Sequence, residues 1–466
     1  MNHTSEQLAI INSTLNKITV NAGPGMGKSH LLLSIAEHNK KETNQILCFN
    51  SMIRRELIEK AKTKHIGNVK IDTFHSLAFN YFNSSNVIHN FYYRKKNLES
   101  FDYFSMERIL INVGMKHEAN EVNYFLEYLT TFFKSDKTLI EFCKENKLRQ
   151  SEFIKIWNYL LKDSSAPMFH EFYIKCFQLI KPSSYMNKIL IDEFQDVSAC
   201  YLDICNSIGK NSKTVQVGDQ FQKIYGYNGA LGIDHYDYSL TQSFRFGPSI
   251  ANMCNFFIKN FIKDSTYEII GVNKNQVVVD DFDNNENKTI IFRTNASLIE
   301  RLITETIYNK KICFIPESTY ENIKHIYNLS LIELGQSYNY RGVLFGNEEL
   351  ISIYYKKSKD TVLGIYLKLK NSYGKELTKI FEEVIEKITF DKNIANVELV
   401  TAHKCKGMQI ENVEIADDFP TLDKINEMKQ KGKQEYIDEI YILYVAITRC
   451  SGKLKLNHDL KEVFKC

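Results

Sequence analysis

The chain has 466 residues, more than the roughly 100–200 of one ordinary domain, so about two to four compact units are expected. Hydrophobic residues make up 44% and charged residues 25%, with 30 Phe and 27 Tyr, a globular composition that excludes a disordered chain. Basic side chains number 59 against 56 acidic, a formal net charge of +3, so bulk charge gives no ground for nucleic-acid binding and that partner must be argued from motifs.

The ten cysteines contain no CxxC pair, and the closest spacing, Cys200 to Cys205, suits neither a zinc knuckle nor a disulfide framework; reduced thiols in the cytoplasm are expected. The stretch Met1-Asn2-His3-Thr4-Ser5-Glu6-Gln7 is polar, and no apolar run approaches the roughly 18 residues that cross a bilayer, so a soluble, unexported protein with no membrane partner is expected.

In chain order, β-rich runs at 18–21, 45–49, 69–72, 188–191 and 214–217 end in glycine- or acid-bearing loops followed by helical patterns. Between the third and fourth of these, residues 81–186 show helical periodicity, as in 105–113 and 121–133, and read as an all-helical insertion. A second set of strands is expected at 289–292, 311–315, 397–401 and 413–416. The polar segment 280–288 reads as a surface loop, and residues 301–392 give mixed signals whose topology stays unassigned. Strands alternating with helices predict an α/β fold of two parallel sheets with ligands at the carboxyl ends of the strands.

The first strand runs into Ala22-Gly23-Pro24-Gly25-Met26-Gly27-Lys28-Ser29 and then His30 at the start of an apolar helical stretch. Strand, glycine-rich loop and helix are the context of a phosphate loop, whose backbone N–H groups close around phosphates at a helix N-terminus. Lys28 would neutralise the β and γ oxygens and Ser29 would ligate Mg²⁺; Ala22 replaces the usual first glycine. A matching half follows in Lys188-Ile189-Leu190-Ile191-Asp192-Glu193-Phe194-Gln195-Asp196, a buried-type strand that delivers two carboxylates. Asp192 would hold Mg²⁺ through water, and Glu193 would act as general base on the attacking water. An exposed acidic turn is the bland alternative for this segment, and a chance Lys-Ser after a Gly-rich turn is the bland alternative for the loop.

Further blocks are Thr73-Phe74-His75-Ser76, Gly218-Asp219-Gln220-Phe221-Gln222-Lys223-Ile224-Tyr225-Gly226, Ser243-Phe244-Arg245-Phe246-Gly247, Thr401-Ala402-His403-Lys404-Cys405-Lys406-Gly407 and Tyr444-Val445-Ala446-Ile447-Thr448-Arg449. In this order and approximate spacing the chain resembles the UvrD/Rep-type superfamily 1 helicases, and within them the F-box DNA helicase branch, without any F-box. The resemblance spans residues 4–450 and is carried by the order of the blocks, not by the insertions.

The resemblance implies two RecA-like P-loop domains: one from 1–80 and 187–240 carrying the ATP site, with 81–186 inserted, and one from 241–300 and 393–466. Residues 301–392 would then be a reduced insertion plus part of the second domain. It implies that Gln7 reads the adenine edge, Phe244 stacks on the base, Gly407 and Gln409 lie near the ribose, and Gln222 senses the γ-phosphate. Arg245 and Arg449 would be arginine fingers. For single-stranded DNA it implies Phe74 and Tyr227 as stacking faces and Asn50, Thr73, His75, Thr401 and His403 as backbone contacts. Gln409 stands where the family has Glu, Tyr227 where it often has Trp, and Asn228 where an Arg usually follows. The basic runs Arg54-Arg55, Lys60 to Lys64 and Arg94-Lys95-Lys96 would extend the track or be solvated helix faces.

The expected function is an ATP- and Mg²⁺-dependent DNA translocase or helicase of 3′→5′ polarity in repair, recombination or replication, acting on single strands and tailed duplexes. Two alternatives stand beside it: a motor subunit serving a separate nuclease in a recombination or anti-phage assembly, and a non-unwinding translocase that strips proteins from DNA. A binding scaffold with a vestigial ATP site is the non-enzymatic reading. The sequence contains no nuclease-like carboxylate-lysine set, and it leaves partners and oligomeric state open.

Overall fold

The computed structural model describes residues 3–85, 87–224, 229, 232, 235–262, 267–283 and 286–465. The chain divides into two compact units, Met1–Gly23 with Gly27–Leu240, and Pro24–Met26 with Thr241–Cys466.

The first unit is built on β1 (Lys17–Ala22), β2 (Asn44–Cys48), β3 (Val69–Thr73), β4 (Lys188–Ile191), β5 (Lys213–Gly218) and β6 (Tyr238–Leu240), in the order β3-β2-β4-β5-β1-β6. Every pair is parallel. Ile18, Val20, Ile46, Leu47, Ile189, Leu190, Val215 and Val217 are buried, as expected for a sheet covered on both faces. Because β4, β5 and β1 are neighbours and run the same way, the loops after Ile191, Gly218 and Ala22 open side by side at one sheet edge.

Between β3 and β4 lies a run of helices, Phe74–Asn83 to His170–Leu179. Apolar stripes create their core: Val122, Phe125, Leu129, Phe132 and Phe133 of Ala119–Lys134 are buried, as are Phe153, Ile156 and Leu160 of Gln150–Lys162. Two of these helices start on reciprocal caps at Asp102 and Thr138. Arg94, read in the sequence as part of a basic run, is instead buried: Nε donates to the Ala166 carbonyl, Nη1 to His89, and Nη2 to Leu160 and Pro167. Lys175 is likewise internal, its Nζ 2.7 Å from the Ser135 and Lys137 carbonyls, and burial pushes its ammonium down to about 8.

In the second unit β7 (Gln242–Ser243) pairs with β8 (Ile270–Gly271), apart from the main sheet. That sheet comprises β9 (Val277–Val279), β10 (Lys288–Phe292), β11 (Cys313–Phe314), β14 (Ile388–Thr389), β15 (Val397–Thr401), β16 (Ile410–Ile415) and β17 (Cys450–Lys455), ordered β14-β11-β15-β10-β16-β17-β9. All its pairs are parallel. Between β11 and β14 the chain forms helices Glu317–Ser330, Glu348–Ser358, Thr361–Tyr373 and Leu377–Glu386 and an antiparallel hairpin of β12 (Tyr338–Tyr340) and β13 (Val343–Phe345).

Two parallel sheets with helices are the fold class expected from the pattern. Strands β6, β9, β14 and β17 were not foreseen, and residues 311–315 yield only the two-residue β11. The first three are sheet edges of two or three residues, and β17 carries Gly452 and two lysines, so none shows an apolar run. Lys288, at the end of the expected loop 280–288, opens β10. Among the described residues no helix is long and apolar enough to cross a membrane, and the described cysteines are buried and unbridged.

Replacing Arg94 with Ala leaves four inward-facing carbonyls without their donor, and a loss of about 2–4 kcal/mol is expected in urea denaturation of the first unit. A midpoint equal to wild type would show that water replaces the guanidinium.

Candidate functional site

The phosphate loop forms where β1 ends. Gly27 takes φ 82° as it caps helix Lys28–His38, a conformation L side chains rarely adopt, and a Cβ there would also sit 3.0 Å from Gln7 Nε2. Gln7 is therefore buried against the loop, held by reciprocal caps with Thr4 in which each backbone N–H donates 3.2 Å to the other's side chain. Lys28 folds back over the loop, its Nζ 3.1 Å from the Ala22 carbonyl and 3.4 Å from that of Gly23. His30 Nδ1 lies 3.2 Å from Lys64 Nζ, and burial, then Lys64, lowers its basicity.

At the end of β4, Asp192 and Glu193 are both buried, and Glu193 is turned by a left-handed backbone, φ 50°. Its N–H donates 3.0 Å to Asp192 Oδ1. Burial and then the neighbouring Glu193 raise the Asp192 carboxyl well above the usual carboxylate range, with Lys28 opposing. Asp219, after β5, is raised by burial in the same way, also with Lys28 opposing and Glu193 adding to the rise. The two aspartates on adjacent strand ends thus share the influence of Lys28, with Glu193 between them.

Gln195 links them, a role the sequence reading gave to no residue. Its Nε2 donates 2.7 Å to Glu193 Oε2, and its Oε1 accepts the Asp219 N–H at 2.9 Å. Gly218 is required for this approach, since a Cβ there would lie 2.5 Å from Gln195 Oε1. The available signal was position: Gln195 sits two residues past Glu193 in the 3-10 turn Phe194–Asp196, which returns its side chain toward Glu193. Gln222, the expected phosphate sensor, is buried and hydrogen-bonds Asp219.

In the second unit the two expected arginine fingers meet at Thr448. Arg245 Nη1 donates 3.1 Å to its carbonyl, and Arg449 Nη2 lies 3.2 Å from its hydroxyl. Arg449, 1% exposed, also donates from Nε to the Val445 carbonyl and from Nη1 to that of Met408. Phe244 is 52% exposed, a free ring face, and its N–H donates to the Gly25 carbonyl, while Ser243 Oγ holds the Pro24 carbonyl at 2.8 Å. Gly407 adopts φ 87° and Gln409 is exposed beside it.

The nucleic-acid candidates lie at other strand ends. Asn50 caps helix Ser51–Thr63, accepting from Ile53 N–H at 2.8 Å, and Thr73 caps Phe74–Asn83 in a reciprocal box with Ser76. Thr401 holds the N-cap position of the short helix Ala402–Cys405 at the end of β15 without a side-chain cap bond, and His403 is half-buried. Phe74 corrects the sequence reading: it is 1% exposed and packs on Phe49 and Tyr201, with ring centroids 5.3 and 4.9 Å away, so it offers no face to a base. His75 lies with Nδ1 2.9 Å from Tyr173 Oη and Nε2 3.4 Å from Tyr201 Oη; burial, then His170, pushes it down to about 4. It is neutral near pH 7 and can meet a phosphate only as a hydrogen-bonding partner. Tyr227 and Asn228 lie outside the described residues.

The raised Asp192 fixes a sign. The folded state binds its proton more tightly than the unfolded chain, so its contribution to stability is full below the ordinary Asp value of about 4 and is lost as pH rises through the higher folded value. Asp192→Asn is therefore expected to raise the thermal midpoint by several degrees at pH 8, with the gain vanishing toward pH 4. Melting curves across that range check it, and a variant less stable at pH 8 would contradict it.

The UvrD/REP helicase N-terminal domain family matches residues 3–234. Over 517 residues the chain is 25% identical to "F-box DNA helicase protein 1" of Schizosaccharomyces pombe, covering 99% of this chain and 58% of that protein. Over 525 residues it is 24% identical to "F-box DNA helicase 1" of Gallus gallus, covering 99% of this chain and 49% of that protein. The chain thus spans about half the length of the curated relatives it matches. An Arterivirus nonstructural protein 10 (helicase) solved in complex with DNA superposes with a TM-score of 0.34 at 10% identity, covering 97% of this chain and 63% of that one, too distant to bear on the fold. The phosphate loop and the acidic end of β4 both lie within residues 3–234, the part of the chain that is similar to the UvrD/REP helicase N-terminal domain, and along its length the chain is similar to F-box DNA helicases.

Proposed function

We propose that the chain is an ATP-dependent DNA translocase and helicase of 3′→5′ polarity. The observation that carries this reading is the set of groups at the carboxyl ends of β1, β4 and β5: Lys28 on a phosphate loop facing the buried pair Asp192 and Glu193. Glu193 would accept the proton of the attacking water, with Gln195 fixing the carboxylate's orientation. Lys28 would leave the Ala22 and Gly23 carbonyls for phosphate oxygens, and Arg245, Arg449 and Gln222 are the proposed γ-phosphate contacts.

The acidic set fits Mg²⁺. The donors there, one carboxylate and one hydroxyl, are the oxygen ligands a hard divalent cation takes, with its other positions left to nucleotide phosphates and water. Asp192 and Ser29 would hold it, and a divalent cation relieves the cost of the desolvated carboxylates. Bound there, it supplies charge neutralisation at the phosphates.

Polarity, pathway in repair, recombination or replication, and a nuclease or recombination partner rest on the resemblance alone. The DNA contacts proposed are Asn50, Thr73, His75, Thr401, His403 and Tyr227. The short insertion between β11 and β14 favours efficient translocation over processive opening of long duplexes.

Lys28→Ala and Glu193→Gln are each expected to cut ATP turnover by a factor of about 10² or more while single-stranded DNA affinity changes little. ATPase and oligonucleotide-binding measurements on the folded variants check this, and near-normal turnover in either would refute the assignment. In single-turnover unwinding at physiological salt, short 3′-tailed duplexes are expected to open well and long ones poorly, with 5′-tailed substrates inert. Efficient opening of the long duplex by the monomer would contradict the reading.

A further inference from the structure

Helix Phe74–Asn83 carries the Thr73 block at its start and meets a second surface at its far end. There the segment Phe91–Arg94 and the turn Lys95–Asn97 follow one another. Arg94, buried, ties this segment to four carbonyls of the helical insertion. Its neighbours point outward: Tyr92 is 56% and Tyr93 68% exposed, with ring centroids 5.5 Å apart and edge-on to each other. Lys95 Nζ stands 4.6 Å and Lys96 Nζ 5.4 Å from the Tyr92 centroid. Lys95 also donates to Asn83 Oδ1 on the helix itself. Neither lysine is in an ion pair among the described residues, whereas Arg108, Lys137 and Arg149 of the same insertion each meet a carboxylate.

Two exposed aromatic faces beside two unneutralised ammonium groups, on a rigidly anchored base, are what a single strand needs: rings for bases and cations for phosphates. The helix has ten residues, so the surface stands about 15 Å along its axis from the Thr73 block, within reach of the same strand. We propose that Tyr92, Tyr93, Lys95 and Lys96 form a second contact for single-stranded DNA, lengthening the site that begins at Thr73. The inference rests on the DNA-binding reading above. It also assigns the Arg94-Lys95-Lys96 run two roles, the arginine as internal anchor and the lysines as contacts.

The test is binding of fluorescein-labelled oligo(dT) of graded length to the full chain. Tyr92→Ala/Tyr93→Ala is expected to weaken binding of long oligomers about tenfold or more and of the shortest ones hardly at all, because a short strand engages one contact only. Tyr92→Phe/Tyr93→Phe keeps the rings and is expected to bind as wild type, with melting curves showing that all variants fold. Lys95→Gln/Lys96→Gln is expected to lower the slope of log affinity against log salt by about 1.4, two phosphates at roughly 0.7 each. Equal affinity of the alanine variant and wild type at every length overturns the proposal while leaving the DNA-binding reading intact. A loss seen only with blunt duplex also overturns it, assigning the surface to duplex contact. Wild type that binds no oligo(dT) overturns the DNA-binding reading itself.

Discussion

The structure depends most on a burden of negative charge taken out of water. Asp192, Glu193 and Asp219 are buried at the ends of neighbouring parallel strands, with Lys28 as the cation acting on both aspartates. Buried carboxylates cost free energy unless hydrogen-bonded or neutralised, and the protein reduces that cost with Gln195, which satisfies Glu193 and ties it to the backbone of Asp219. What remains uncompensated favours a ligand that brings positive charge. Phosphates would enter with the divalent cation, and the stored cost becomes binding selectivity for the pair.

The rest of the first unit serves that arrangement. The all-parallel order β3-β2-β4-β5-β1-β6 sets the three strand ends beside one another, and apolar strand interiors leave the chemistry to the loops. Glycine is needed where two backbones or an amide must approach: at Gly27 for the helix cap against Gln7, and at Gly218 for Gln195. On the same sheet, β3 ends in Thr73 and Asn50 follows two residues after β2, and both side chains are engaged in capping helices. Buried Phe74 offers no ring face, and the exposed rings and lysines of 92–96 would supply that grip under the proposal above.

Much of this was legible in the sequence because the signals were local. A strand, a glycine-rich loop and a helix in succession place Lys28, and an apolar run ending in Asp192-Glu193 places the acids beside it once the sheet is parallel. Short edge strands such as β6 and β14 have no apolar run to read. Burial was less legible. Phe74 and Arg94 belong to residue types that bind bases and phosphates when exposed, and only the packing of Phe49 and Tyr201, or the carbonyls around residue 160, turns them inward. Gln195 was visible in its block, but its function as a bridge depends on the left-handed turn at Glu193.

The central claim is that ATP hydrolysis powers movement along a single strand. Steady-state ATP turnover measured against oligo(dT) of increasing length tests this most directly. A translocase spends longer on a longer lattice, so turnover is expected to be low without DNA, to rise with length and then to level off. Turnover that is the same with and without single-stranded DNA of any length would contradict it.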